Sequence, residues 1–158
     1  MCIRRFVPLL LLSLSAIPLC AQTGGHGYGY FAVDLRDRCC GRLLTVGGGG
    51  DAYVYRGLAV GADLGYLFPS GNARNGVGLL SVNPSYHFTS RSRDQKVVPF
   101  VTAGYTLGFR SGTANFFNWG GGATYWFHRS LGIRAEIRDI RNSQESFHTA
   151  FRIAFAFR

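Results

Sequence analysis

The C-terminal segment of the chain alternates between two kinds of residue. From Phe147 to Arg158, one set of alternate positions is large and mostly aromatic, and the other set is small or charged. A period of two predicts a β-strand with two different faces. A strand with one aromatic face and one small or charged face is typical of a β-barrel that spans a membrane.

The same alternation recurs along most of the chain, in segments separated by turn-rich stretches such as Arg56-Gly57 and Pro69–Asn75. Most segments are close to the ~9–11 residues that a tilted strand needs to cross a bilayer. The sequence therefore predicts an all-β protein, an eight-stranded antiparallel up-and-down transmembrane β-barrel. The predicted strands are Tyr28–Leu35, Leu43–Tyr55, Leu58–Phe68, Gly76–Phe88, Val97–Phe109, Phe116–Phe127, Leu131–Arg141 and Phe147–Phe157.

The apolar face is predicted to point outward. Its aromatic residues gather near the strand ends, as two membrane interfaces require, and the opposite face is rich in Gly and Ala, which suits the inside of a narrow barrel. One end would hold Tyr86, Phe88, Tyr125, Phe127, Phe155 and Phe157; the other would hold Phe68, Phe109, Phe117, Trp119 and Phe147. The alternative is a soluble, lipocalin-like carrier with the apolar face around an apolar ligand.

This orientation predicts how single substitutions behave. Leu64→Arg or Val101→Arg should block membrane assembly, since both residues belong to the apolar set. Gly65→Ser and Thr102→Ser, on the other face, should be mild.

The N-terminus reads as a secretory signal peptide. Arg4 and Arg5 precede the apolar run Val7–Leu14, and Ala21 is a plausible cleavage point. We therefore expect residues 1–21 to be a signal peptide removed on export and residues 22–158 to form the barrel domain, in the outer membrane of a Gram-negative-type bacterium. The alternative is a lipoprotein whose mature chain begins at Cys20.

Composition agrees with a β-protein and limits the partners. The chain has 22 Gly, 13 Phe and 8 Tyr, and its formal charge is +9. For an exported chain the expected counter-charge is outer-membrane lipid or lipopolysaccharide rather than nucleic acid; the alternative is positive charge spread over loops and interior. Outside the signal region only the adjacent Cys39 and Cys40 remain, so we expect no metal and no cofactor.

Three stretches of the chain carry a family resemblance. They are Val98-Pro99-Phe100-Val101 with Gly104-Tyr105, then the Gly-rich run Gly120–Phe127, then Leu131–Asp139. In this order they resemble the small outer-membrane β-barrel family, whose members are eight-stranded barrels. The resemblance implies a monomer that is inserted by the barrel assembly machinery during biogenesis.

The predicted interior carries a cluster of charges. Its members are Arg134, Glu136, Arg138, Arg152, Asp51 and Asp63. Buried charges are tolerated when they are paired and hydrogen-bonded, so a plugged interior is predicted. The alternative is a narrow pore for small solutes, with these charges lining an ion path.

Two other groups of residues are candidates for chemical or binding roles. His128-Arg129-Ser130 resembles the His-x-Ser pair of outer-membrane lipid A deacylases, but no acid has the spacing of that family, so no enzyme activity is predicted. Arg36, Arg38 and Arg42 fall in the first outer loop and are candidate lipopolysaccharide contacts; the alternative is an ordinary solvated loop.

Overall fold

A computed structural model describes residues 24–35, 42–89, 95–142 and 147–158. These residues form eight β-strands and one short 3₁₀ helix, Ala73–Asn75. The strands are β1 His26–Asp34, β2 Leu43–Tyr55, β3 Leu58–Pro69, β4 Val77–His87, β5 Val97–Phe109, β6 Thr113–Trp126, β7 Leu131–Arg141 and β8 Phe147–Phe157.

The strands close into a single barrel. Each strand pairs antiparallel with the next, and β1 pairs with β8. Closure leaves no unpaired sheet edge. The up-and-down, eight-stranded antiparallel barrel predicted from the alternation is therefore confirmed.

Two strands begin earlier than predicted. β1 starts at His26, because the pairing with β2 extends to the pair His26 and Asp51. β6 starts at Thr113, because this residue pairs with Phe109 and continues the β5–β6 hairpin into what reads as a loop. The other bounds agree with the prediction to within one residue.

The two ends of the barrel differ in their connections. We call the end that holds the start of β1 and the end of β8 the near end, and the opposite end the far end. At the near end, Arg56 and Gly57 have φ of 35° and 88°, so both residues of the β2–β3 turn are left-handed, as a two-residue type I′ hairpin requires. At the far end, the Asn72 side chain accepts a hydrogen bond from the N–H of Arg74 and caps the 3₁₀ helix.

The side chains alternate between an exposed apolar surface and a buried interior. Leu64 and Ile137 are 57% and 52% exposed, whereas their strand neighbours Asp63 and Arg138 are each 3% exposed. The outward orientation of the apolar face is thus confirmed. The arrangement needed for a lipocalin-like carrier, with the apolar face inside, is wrong for this chain.

Aromatic side chains mark both ends of the apolar surface. At the near end, the Tyr86 and Phe88 rings lie 5.1 Å apart and the Phe127 and Phe155 rings 6.2 Å apart. At the far end, the Tyr66 and Phe68 rings lie 5.8 Å apart and Phe109 is exposed on the same surface, whereas Trp119, predicted for this end, lies midway along β6. Two girdles therefore bound an apolar band around the barrel. No helix among the described residues is long and apolar enough to cross a membrane.

Asp139 breaks the apolar pattern of the outer face. Asp139 lies at the far end of β7 and is only 5% exposed, although its neighbours on that face are exposed. Its carboxylate accepts hydrogen bonds from Nε of Arg141 at 3.2 Å and from the Thr149 hydroxyl at 3.3 Å. These partners cover the Asp139 carboxylate. Its position near the far end of β7 places the charge at the edge of the apolar band.

Candidate functional site: the charged interior

The charged interior is supplied by two opposite parts of the barrel wall. Strand β7 turns Arg134, Glu136 and Arg138 inward, because alternate residues of a strand share a face. β8 adds Arg152, whose Cα pairs with that of Glu136. β2 and β3 add Asp51 and Asp63 from the facing wall. The structure brings all six residues of the predicted charge cluster together.

Glu136 lies at the centre of the cluster. Its Oε1 accepts a hydrogen bond from Nε of Arg138 at 2.6 Å, and its Oε2 accepts from Nε and Nη2 of Arg134 at 3.3 and 3.2 Å. Nη1 of Arg152 lies 3.7 Å from Oε1. One carboxylate thus faces three guanidinium groups, and each of its oxygens receives a charged donor.

Asp63 joins the facing wall to the same guanidinium groups. It accepts from Nη1 of Arg138 at 2.9 Å and from Nη2 of Arg152 at 3.3 Å. The Tyr30 hydroxyl at 3.2 Å and Nδ2 of Asn83 at 3.1 Å complete its partners.

Asp51 accepts from Nη1 of Arg134 at 2.7 Å. The cluster therefore contains three arginines and three carboxylates, all buried, and its formal charge is zero. Pairing and hydrogen bonding of this kind are what make buried charges tolerable.

Aromatic rings cover the faces of two guanidinium groups. The Arg134 guanidinium lies 3.7 Å from the ring centroid of Phe100 and 4.8 Å from that of Tyr28. The Arg152 guanidinium lies 3.6 Å from that of Tyr30. Such contacts stabilise a cation by about 0.5–2 kcal/mol. The sequence-based candidate set missed these three aromatic residues.

Glycines provide the room for the tyrosines. Gly47 is the cross-strand partner of Tyr30, and a Cβ added at Gly47 would lie 2.7 Å from the Tyr30 ring. A Cβ at Gly65 would overlap the Tyr30 hydroxyl. The expectation that Gly65→Ser would be mild is therefore wrong, because Tyr30 is held by Asp63 and stacks on Arg152. A run of inward glycines opposite an inward tyrosine was the signal that could have revealed this pairing.

A layer of rings closes the near end of the lumen. The His26 ring lies 5.9 Å from Tyr53, 5.7 Å from His87 and 5.7 Å from Trp126. The His87 ring stacks on Phe100 at 5.4 Å, and its Nε2 is 3.1 Å from the Ser85 hydroxyl. His87 thus fills the near end of the lumen.

Polar contacts occupy the far half of the lumen. The hydroxyls of Ser81 and Thr106 are 3.0 Å apart, and Nδ2 of Asn118 donates to the Thr106 hydroxyl at 2.8 Å. Nδ1 of His148 lies 2.8 Å from the Asp34 carboxylate. A cavity beside these residues measures only ≈ 20 Å³, which is about the space of one water molecule. This cavity, between the charge cluster and the far-half contacts, therefore offers no continuous aqueous path.

The other candidates do not assemble a chemical site. The backbone N–H of Ser130, not its hydroxyl, donates to Nδ1 of His128 at 3.4 Å. No group of three or more His, Cys, Asp or Glu side chains among the described residues is arranged to hold a metal ion. Arg36, Arg38, Cys39 and Cys40 lie outside the described residues. Arg42 is exposed at the far end, where its carbonyl accepts from the N–H of Ser70 at 2.9 Å.

Comparisons with solved structures identify the fold. The N-terminal β-barrel domain of Pseudomonas aeruginosa OprF matches with a TM-score of 0.63 and 14% identity, over 86% of this chain and 100% of that domain. Neisserial surface protein A matches with a TM-score of 0.63 and 11% identity, over 84% and 94%. A de novo designed transmembrane β-barrel matches with a TM-score of 0.63 and 18% identity, over 85% and 93%.

No protein-family model and no curated protein sequence matches the chain. The likeness is therefore one of fold, and it is to small outer-membrane β-barrels, as the resemblance in the sequence implied.

Proposed function

We propose that this chain is an integral outer-membrane β-barrel with a plugged interior and a structural or surface-interaction role. The observation that carries the proposal is the pairing of an apolar outer band, bounded by two aromatic girdles, with an interior filled by a neutral network of three arginines and three carboxylates.

The outer band supports residence in a bilayer. A continuous apolar surface of this extent would aggregate in water, whereas in lipid it is solvated. The closed hydrogen-bonded ladder satisfies the backbone inside the hydrocarbon region, which is the condition for strands to span a membrane. Aromatic residues at both ends match the two interfaces. The interpretation of residues 1–21 as a signal peptide agrees with export, and the barrel assembly machinery would insert residues 22–158 as a monomer.

The packed lumen favours a plug over a pore. Conduction needs a continuous aqueous path, but the cavity next to Arg138 and Arg152 has room for about one water. On the near side, Phe100, Trp126 and the His26 ring close the lumen. The inward side chains that the structure describes are taken up by ion pairs and ring contacts, and we propose no enzymatic role.

The far end would face outward if the start of β1 lies in the periplasm. Arg42 is exposed there, and Arg36 and Arg38 precede it in the same connection. Guanidinium groups form bidentate contacts with phosphates. We therefore infer that this connection contacts lipopolysaccharide phosphates; nucleic acid is not among the proposed partners.

Fractionation and conductance test this function together. The wild-type protein should appear in outer-membrane fractions, show a heat-dependent gel shift, and give no large steady conductance in planar bilayers. Leu64→Arg should abolish the folded band, because an arginine on the lipid face costs about 2–4 kcal/mol near the bilayer midplane. Thr102→Ser is the matched control, since serine can keep the hydrogen bond from residue 102 to the Pro84 carbonyl.

Two results would contradict the proposal. Recovery in the soluble periplasmic fraction would exclude the membrane barrel. A stable open channel in the wild-type protein would replace the plug with the narrow pore.

A further inference from the structure

The near-end mouth of the barrel is lined by cations. Lys96 precedes β5, Arg129 lies in the β6–β7 turn and Arg158 follows β8, and all three line one open cavity of ≈ 780 Å³. Trp126, His128, Phe127 and Gln95 complete the lining. None of the described residues lining this cavity is acidic.

Backbone hydrogen bonds fix the positions of these cations. The N–H of Trp126 donates to the Lys96 carbonyl at 2.8 Å, and the N–H of Arg158 donates to the Ser130 carbonyl at 3.1 Å. The Arg158 guanidinium lies 3.9 Å from the Trp126 ring centroid, which holds the charge over the mouth. Lys96 and Arg158 are therefore held next to the buried indole of Trp126 by hydrogen bonds between neighbouring strands and turns.

Among the described residues that line it, the mouth has several hydrogen-bond donors and no acidic side chain. The described acidic side chains are in the strands; in the interior, Asp51, Asp63 and Glu136 are paired with arginines and Asp34 with His148. At His128, Nδ1 accepts a hydrogen bond from the N–H of Ser130 at 3.4 Å, and with this arrangement Nε2 serves as the donor. Together with Lys96, Arg129 and Arg158, it matches the oxygens of an anion such as a phosphate.

We propose that this mouth binds the phosphate of an anionic phospholipid headgroup from the leaflet at the near end. The proposal rests on the membrane barrel proposed above. The cavity includes Phe127, which is 48% exposed and belongs to the near-end girdle. The cavity thus runs from the mouth to the lipid-facing surface, at the depth where headgroups lie. A freely dissolved phosphate would need no such opening toward lipid.

Trp126 makes the site measurable. The chain has two tryptophans, so Trp119→Phe leaves Trp126 as the reporter at the floor of the mouth. The barrel is folded into phosphatidylcholine nanodiscs and titrated with short-chain phosphatidylglycerol, short-chain phosphatidylcholine or inorganic phosphate. Phosphatidylglycerol should change the Trp126 emission saturably, and the other two should not.

Matched variants distinguish binding at this mouth from a general effect of positive charge on the protein. Replacing Lys96, Arg129 and Arg158 by Gln should weaken the apparent affinity for phosphatidylglycerol about tenfold, because charged hydrogen bonds are lost. The same replacement at two far-end cations, Arg74 and Arg110, should leave that affinity unchanged. If the near-end variant does not fold, the wild-type titration with the three ligands still decides.

The remaining results of these titrations would contradict the proposal in different ways. An equal response to inorganic phosphate would overturn the lipid assignment and leave an anion site. No response to any ligand, or an equal loss in the far-end variant, would overturn the site. A heat-modifiable, nanodisc-inserted barrel without the response would refute only this site, whereas failure of the wild-type chain to insert would refute the proposed function as well.

Discussion

The two walls that face each other across the lumen differ in the size and charge of their inward side chains. The wall of β7 and β8 carries bulk and positive charge, with Arg134, Arg138 and Arg152 reaching across the barrel. The wall of β2 and β3 carries little bulk inward, with glycines beside Asp51 and Asp63. The contrast shows that the narrow interior is filled by long side chains of one wall entering the space that the other leaves open.

The strongest way to break this complementarity is to remove the carboxylate on the cationic wall. Glu136→Ala should destabilise the detergent-folded barrel by about 3–5 kcal/mol, because three buried guanidinium groups lose their shared partner. Thermal or urea unfolding measures the loss. Arg74→Ala, on an exposed 3₁₀ helix, is the control and should change stability little. Near-equal stability of the two variants would mean that the network does not support the fold.

A smaller loss should follow from adding bulk to the glycine wall. Gly47→Ala should cost about 1–3 kcal/mol, because its Cβ would lie 2.7 Å from the Tyr30 ring and against the Leu64 carbonyl. Gly29→Ala tests the same substitution on the outer face, where the nearest atom would be 4.0 Å away. Urea unfolding of both variants should show a loss only for Gly47→Ala; equal losses would indicate a general glycine effect.

The smallest expected effect tests whether the Tyr30 hydroxyl is the atom that prevents a side chain at position 65. Gly65→Ala alone should be destabilising, since its Cβ meets the Tyr30 hydroxyl, and Tyr30→Phe alone should cost about 1 kcal/mol for the lost hydrogen bond to Asp63. With Tyr30→Phe present, the severe overlap is removed, and the nearest remaining atoms are Cγ2 of Thr45 at 3.2 Å and the ring Cζ of residue 30 at 3.4 Å. The double variant should then be more stable than the sum of the two losses predicts, by about 1 kcal/mol. Strict additivity in the double-mutant cycle would contradict the packing of Tyr30 against Gly65.

The sequence alone was enough to predict the eight strands and to assign their side chains to the outer or inner face. Both follow from a local period of two, so Leu64 and Asp63 could be assigned to opposite faces without knowing any partner. The same period placed the six charged residues on the inside.

Which of these residues pair could not be read from the chain. Arg134 meets Asp51 from 83 positions away, and Arg152 meets Asp63 from 89 positions away. These pairings depend on the register and tilt of the closed sheet, which alternation does not specify. The roles of Tyr28, Tyr30 and Phe100 were missed for the same reason. Their contacts with guanidinium groups can be predicted only when the positions of those groups in the closed barrel are known.

The division of charge between the walls also bears on the order in which the barrel forms. β2 and β3 bring two aspartates, while β7 and β8 bring three arginines and a single glutamate, so neither wall is neutral by itself. The two walls come from early and late parts of the chain, and β1 and β8 must pair before the lumen is enclosed. We expect the attraction between these oppositely charged early and late strands to favour pairing of β1 with β8 in the correct register over a sheet that stays open.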